Sequence, residues 1–223
     1  MTEAQHIGPN PSLVTPRAAA VAGIIFSLLM GTAYALFQAA LPIEAGASRE
    51  TMEAQEGTIA LALGLVPFAG IAYLWFMGVL RDRLGQFEDQ FFSTLFLGSG
   101  LLYLAMTFAA AAVAGALLAF FRLGLETIPE DAIYMISRLS VVQFSRIFAM
   151  RMAGMHMLVS GTIWMRTGVI HRWLVLATFA FALILIFGVG FSVWLLLVFP
   201  GWVFVISVYI LIWNYRRPAA EEV

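Results

Sequence analysis

The sequence predicts an all-α integral membrane protein, a bundle of six transmembrane helices with both termini cytoplasmic. Three observations carry that expectation. The first is composition: 62% of the 223 residues are hydrophobic and 11% are charged, against roughly 45–50% and 25% in soluble domains. With a mean hydropathy of +0.93, the chain has too little polar surface to cover a water-soluble globule. The second is length, because the apolar residues gather in stretches near the ~20 that cross a hydrocarbon core of about 30 Å. The third is the placement of arginine, which sorts the polar breaks into two sides.

Residues 1–17 form a cytoplasmic tail with Arg17 as its only strong positive charge. The first span covers 18–42. Ala33-Tyr34-Ala35 resembles a signal-peptide cleavage site, but the apolar run continues to Leu41, which favours an uncleaved span over a removed leader. An acidic outer loop with Glu44, Glu50, Glu53 and Glu56 precedes the second span, 57–80, where Pro67 predicts a kink. A short inner connector leads to the third span, 91–121. Thr127-Ile128-Pro129-Glu130 has the form of a capping box. A helix from there to Arg166 is about 58 Å long, so only residues 147–165 of it lie in the bilayer.

From Trp173 to Trp213 the chain is continuously apolar, too long for one crossing and sufficient for two. Gly188-Val189-Gly190 predicts the turn, because glycine tolerates positive φ. That gives spans at 172–189 and 191–213, with Pro200 kinking the sixth. Pro200-Gly201 is the competing break. Residues 216–223 form the second cytoplasmic tail, and 18–215 is a single membrane domain.

Orientation follows from the arginines. With the N-terminus inside, the inner segments carry Arg17, Arg81, Arg83, Arg166, Arg172, Arg216 and Arg217. The outer segments carry Arg49, Arg122, Arg138 and Arg146, together with Glu126, Glu130 and Asp131. The inner excess places both termini in the cytoplasm, which six spans satisfy. The expected location is therefore a bacterial inner membrane.

Absent residues exclude several functions. The chain has no Cys, and all 12 of its basic residues are Arg. Thiolate metal sites, Fe–S clusters and disulfide chemistry need sulfur, and Schiff-base and P-loop chemistry need lysine. A net charge of −1 provides no nucleic-acid footprint. No cofactor is called for. The expected partner is the lipid bilayer, with an unknown small solute as the possible cargo.

Small residues recur at Gly23, Ser27, Gly31, Ala35 and Ala39, and again at Ala111, Gly115 and Ala119. In lipid such stripes let helix backbones approach closely, either within one bundle or across a homo-oligomer through the Gly23/Ser27/Gly31 face. Trp75, Trp164, Trp173 and Trp213 near span ends fit interfacial anchoring.

The fourth helix holds the unusual chemistry. Arg146 marks the outer interface and Arg151 lies about 7 Å inside it. His156 falls near the midplane, and no acid lies in any span core. At α-helical spacing Ser145, Arg138, His156, Ser160 and Arg146 share about 100° of arc. Lipid cannot satisfy such a stripe, so it faces protein or a wet, outward-facing cavity. Two readings follow: a structural histidine bonded across the bundle, or a ligand site built on His156, Arg151, Arg146, Arg138 and Ser160. Copper(I) at His156 and Met152, with Met30 and Met106 at similar depth, is a remote variant. Haem ligation would want two histidines at one depth. An intramembrane hydrolase using Ser99 of Leu97-Gly98-Ser99-Gly100 with His156 as base is also remote. The expectation is a non-enzymatic accessory or small-solute component.

Gly78-Val79-Leu80-Arg81-Asp82-Arg83-Leu84-Gly85 with Glu88-Asp89-Gln90-Phe91-Phe92, and Arg166-Thr167-Gly168-Val169-Ile170 with Arg172-Trp173-Leu174, resemble a group of small multi-pass membrane proteins. These come from high-GC, actinobacterial-type bacteria and have no assigned function. The resemblance runs from span two to span five and implies a six-helix inner-membrane protein. It implies no active residues.

Overall fold

The computed structural model describes residues 16–40, 49–84, 90–124, 130–168, 170–188 and 192–216, and every element in them is helical. In chain order these are α1 (Pro16–Ala40), α2 (Arg49–Leu84), α3 (Gln90–Leu123) and α4 (Glu130–Val142). A π-helical segment (Gln143–Ala149) joins α4 to α5 (Met150–Thr167). Then come α6 (Arg172–Phe187), a 3₁₀ segment (Val193–Leu197) and α7 (Val198–Arg216).

Among the described residues, four helical stretches are long and apolar enough to cross a membrane: Arg17–Ala40, Glu53–Arg81, Gln90–Leu123 and Trp194–Ile212. The two other expected crossings differ. The helix through α5 carries Arg138, Arg146, Arg151 and Arg166. The apolar helix α6 has 16 residues, about 24 Å of rise.

Several boundaries move. Pro16 opens α1, the position where its missing N–H and fixed φ cost nothing. Helix α2 starts at Arg49, not 57, so Glu50, Glu53 and Glu56 belong to a helix of 36 residues. Met, Ala, Gln and Glu are good helix formers, and acids favour the positive end of the dipole. The helix continues through Pro67. Of the expected capping box, Thr127-Ile128-Pro129 lies outside the described residues, and Glu130 is the first residue of α4.

Helix α6 ends where the glycine turn is expected, but Gly188 does not take positive φ. Gly188 caps the helix at φ −84°, with its N–H donating to the Ile184 carbonyl at 2.7 Å. Val189 and Gly190 lie outside the described residues. Among the described residues positive φ falls at Gly124 (62°) and Gly168 (65°). Gly168 ends α5, donating to the Trp164 carbonyl at 3.0 Å as a left-handed cap. Pro200 sits in the first turn of α7, directly after the 3₁₀ segment, where an imino residue breaks least. Ser192 caps that segment, its hydroxyl accepting from Trp194 N–H at 3.3 Å.

Packing follows from these lengths. Helix α1 lies along α2 and α7, while α3 packs against α2, α5, α4 and the π segment. Helix α6 packs chiefly on α5. At the centre sits an aromatic block of Phe26, Tyr73, Tyr103, Phe199, Trp202 and Trp164. A smaller cluster of Ala40, Ile59, Leu117, Leu118, Phe121 and Tyr134 closes the far ends of α1, α2 and α3. There Arg122 Nε donates to Glu56 Oε1 at 2.7 Å, tying α3 to α2. Both side chains are about half exposed, so this pair contributes at most ~1 kcal/mol. At the opposite end the Arg166 guanidinium lies 4.6 Å over the Phe92 ring, and Arg81 Nε donates to Ser93 at 3.3 Å. Glu88 and Asp89 of the expected charged connector lie outside the described residues.

The small-residue stripe of α1 divides. A side chain at Gly23 would collide with Ser207 and Phe76, so that position is used inside the bundle. Ser27 is buried and donates to the Gly23 carbonyl at 2.7 Å. Gly31, in contrast, faces open space.

Candidate functional site

The α4–π–α5 helix turns one face toward α3 along its whole length. On its outer half, Tyr134, Arg138, Ser145 and Arg146 line a cavity of about 80 Å³. That is several times the roughly 10–15 Å³ a single water requires. The π segment helps to align these residues. Its i→i+5 bonds widen the turn, so each residue advances less around the axis than in an α-helix. The facing wall comes from α1, with Tyr34, Phe37 and Gln38, and from α3, with Thr107, Ala110, Ala111, Ala114 and Leu117. Val66 and Leu196 complete it.

Most of the wall is apolar, and Gln38, Arg138 and Arg146 form its polar group. Arg146 Nη2 donates to Gln38 Oε1 at 3.3 Å. Its partial burial, and next the nearby Arg138 guanidinium, push Arg146 down from its ordinary value. Two like charges that line one cavity repel, and an anion between them relieves that repulsion. Among the described residues neither pairs with a carboxylate, and Glu56 is already taken by Arg122. Ser145 contributes less than its position suggests, because its hydroxyl donates to the Val141 carbonyl at 2.6 Å. Thr107 likewise donates to the Tyr103 carbonyl at 2.9 Å.

The inner boundary of the cavity is aromatic. The Tyr34 hydroxyl meets that of Tyr103 at 3.3 Å. Tyr103 stands edge-on to Tyr73, with ring centroids 5.6 Å apart, and Tyr73 lies 5.9 Å from His156. These rings separate His156 from the arginine end.

His156 is fully buried. The rings of Phe96, Tyr73, Phe199 and Trp202 enclose it, with Phe96 nearest at 4.4 Å. Its Nδ1 stands 3.0 Å from the Phe96 carbonyl, and a carbonyl only accepts, so Nδ1 carries the proton in that bond. Among the described residues the Nε2 atom has no hydrogen-bond partner, and neither has the buried Tyr73 hydroxyl. Gly100 makes the arrangement possible. A β-carbon there would overlap the Met77 sulfur and crowd the Tyr73 hydroxyl and His156 Nδ1.

The residues singled out from sequence therefore divide. Arg138 and Arg146 come together at the cavity with Ser145. His156 and Ser160 lie deeper, and the Ser160 hydroxyl donates to the His156 carbonyl at 2.8 Å. Arg151 is exposed on the outside of α5. Ser99 donates to the Leu95 carbonyl at 2.6 Å, and no hydrogen bond links it to His156. A thioether, that of Met77, lies beside the His156 site at Gly100. Among the described residues no group of three His, Asp or Glu side chains is placed to hold a metal.

Tyr34, Gln38, Tyr134 and the α3 alanines were not singled out. Gln38, an amide near a span end, was a readable signal. Of the expected packing stripe Ala111, Gly115 and Ala119, Ala111 lines the cavity, together with Ala110 and Ala114, which lie outside that stripe.

The fold and site together define a helical bundle with membrane-length helices and a partly enclosed cationic cavity. No family model, curated protein or solved structure matches the chain.

Proposed function

We propose that the protein is a six-span, non-enzymatic component of a bacterial inner membrane that holds a small ligand in the cavity between α1, α3 and the α4–π face. The observation that carries this reading is the cavity's construction: two guanidiniums without carboxylate partners among the described residues, opening onto apolar walls. Arg146 and Arg166 are separated by about 30 Å of helix, one hydrocarbon thickness. With Arg166 at the inner interface, the cationic end lies at the level of the outer headgroups. Helix α6 crosses as a short span, which local bilayer thinning and the flanking Arg172 and Trp173 accommodate. His156 serves as a core residue in this reading.

Two experiments test it. A reporter fused after Val223 is expected to read as cytoplasmic, and a periplasmic signal overturns the six-span topology. Native mass spectrometry of the gently extracted protein is expected to show a bound ligand that Ala111→Leu expels, because the added carbons occupy its space. Undiminished ligand in that variant rules the cavity out as the binding site.

A further inference from the structure

We propose that the ligand of this cavity carries a phosphate group, held by Arg138 and Arg146 together with Gln38, and that its source is an anionic phospholipid of the outer leaflet. This rests on the cavity being the binding site and adds the chemistry of what it holds.

Charge comes first. Arg138 and Arg146 line one cavity and repel each other, an arrangement that favours an anion between them, and among the described residues neither is paired with a carboxylate. Guanidinium offers several N–H donors in a rigid fork that matches the oxygens of phosphate bidentately. A pair of them suits a tetrahedral oxyanion with oxygens to share. Gln38 accepts from Arg146 through Oε1, which leaves its amide N–H groups able to donate to the same anion.

Shape then selects the source. Beside the arginines the cavity wall includes Ala110, Ala111 and Ala114 of α3 and Phe37 of α1. A free inorganic anion gains nothing from such a wall, since apolar contact leaves its hydration unreplaced. A phosphodiester with an attached hydrocarbon chain uses both ends. The cationic end also stands at headgroup depth when Arg166 marks the inner interface, as placed above.

The test uses the full chain in nanodiscs of phosphatidylcholine doped with phosphatidylglycerol, and separately the detergent-solubilised protein titrated with inorganic phosphate. The wild type is expected to bind phosphatidylglycerol in preference to phosphatidylcholine. Arg138→Gln/Arg146→Gln is expected to weaken that binding by at least ~10-fold, the loss that follows from removing charge-assisted bonds. Arg138→Lys/Arg146→Lys keeps the charge without the fork, so it is expected to bind between the two. That variant also guards against misfolding of the neutral one.

Saturable binding of inorganic phosphate without lipid preference keeps the phosphate chemistry and overturns the lipid source. Wild-type affinity for both probes in the neutral double variant overturns the proposal. A ligand that Ala111→Leu expels but that contains no phosphorus overturns this inference alone. A ligand that Ala111→Leu fails to expel removes the cavity reading itself.

Discussion

Gly100→Val is expected to destabilise the bundle by about 1–3 kcal/mol, the usual cost of forcing atoms into a filled core. The β-carbon alone would overlap the Met77 sulfur and crowd Tyr73 and His156. Met77 is long and flexible, but it is 2% exposed and fully hemmed in. Tyr73 has less freedom, because it is packed against Phe26, Phe76, Tyr103 and Phe199. The control is two residues away. Nothing lies within 4 Å of a β-carbon built at Gly98, so Gly98→Ala is expected to stabilise by about 0.5–1 kcal/mol through reduced backbone freedom. Opposite signs in thermal denaturation of the two detergent-solubilised variants are the expected result. Equal behaviour would show that Gly100 is not a point of close approach.

His156→Ala is expected to cost about 2–4 kcal/mol, on the scale of other large-to-small core changes. It removes a ring in contact with Phe96, Tyr73, Phe199 and Trp202. His156→Phe keeps a ring of similar size. It loses the bond to the Phe96 carbonyl at 3.0 Å and also removes a nitrogen, Nε2, that has no partner. Those two terms are each about 1 kcal/mol and oppose one another. The phenylalanine variant is therefore expected to unfold within about 1 kcal/mol of wild type, with ligand retention unchanged. Elemental analysis is expected to find negligible metal in the wild type and both variants. Loss of ligand in the phenylalanine variant would instead tie His156 to the cavity.

These expectations rest on features that differ in how far the sequence exposes them. Helical class and the approximate ends of α1 and α3 are legible because apolar content and length are read along the chain, whereas α7 begins only at Val198, after a 3₁₀ segment, and not at 191. The inward aim of the fourth helix is legible for a similar reason: Arg138, Ser145, Arg146, His156 and Ser160 recur on one helical face. Boundaries set by balance are less legible. The acids before α2 look like a loop, but Glu, Ala and Met also extend a helix, and α2 begins at Arg49.

Within the candidate site the limits are sharper. Periodicity assigns His156 and Arg146 to one stripe, but it cannot show that Tyr34, Tyr73 and Tyr103 stand between them. Those residues arrive from α1, α2 and α3. The same limit applies to the alanines. A small side chain in a membrane helix permits either close backbone packing or empty space, and the choice depends on the neighbour opposite. At Gly23 the neighbour comes in close, as Ser207 and Phe76 do. At Ala110, Ala111 and Ala114 it stands off, and a cavity results.

Composition thus carries the expectation of a membrane as solvent, because apolar excess is a sum over residues and does not depend on their arrangement. The absence of Cys and Lys narrows the chemistry in the same arrangement-independent way. The arginine pair, the tyrosine barrier and the enclosed histidine depend on contacts between helices far apart in the chain. Their meaning is a matter of distance and burial, which emerge only when the helices pack.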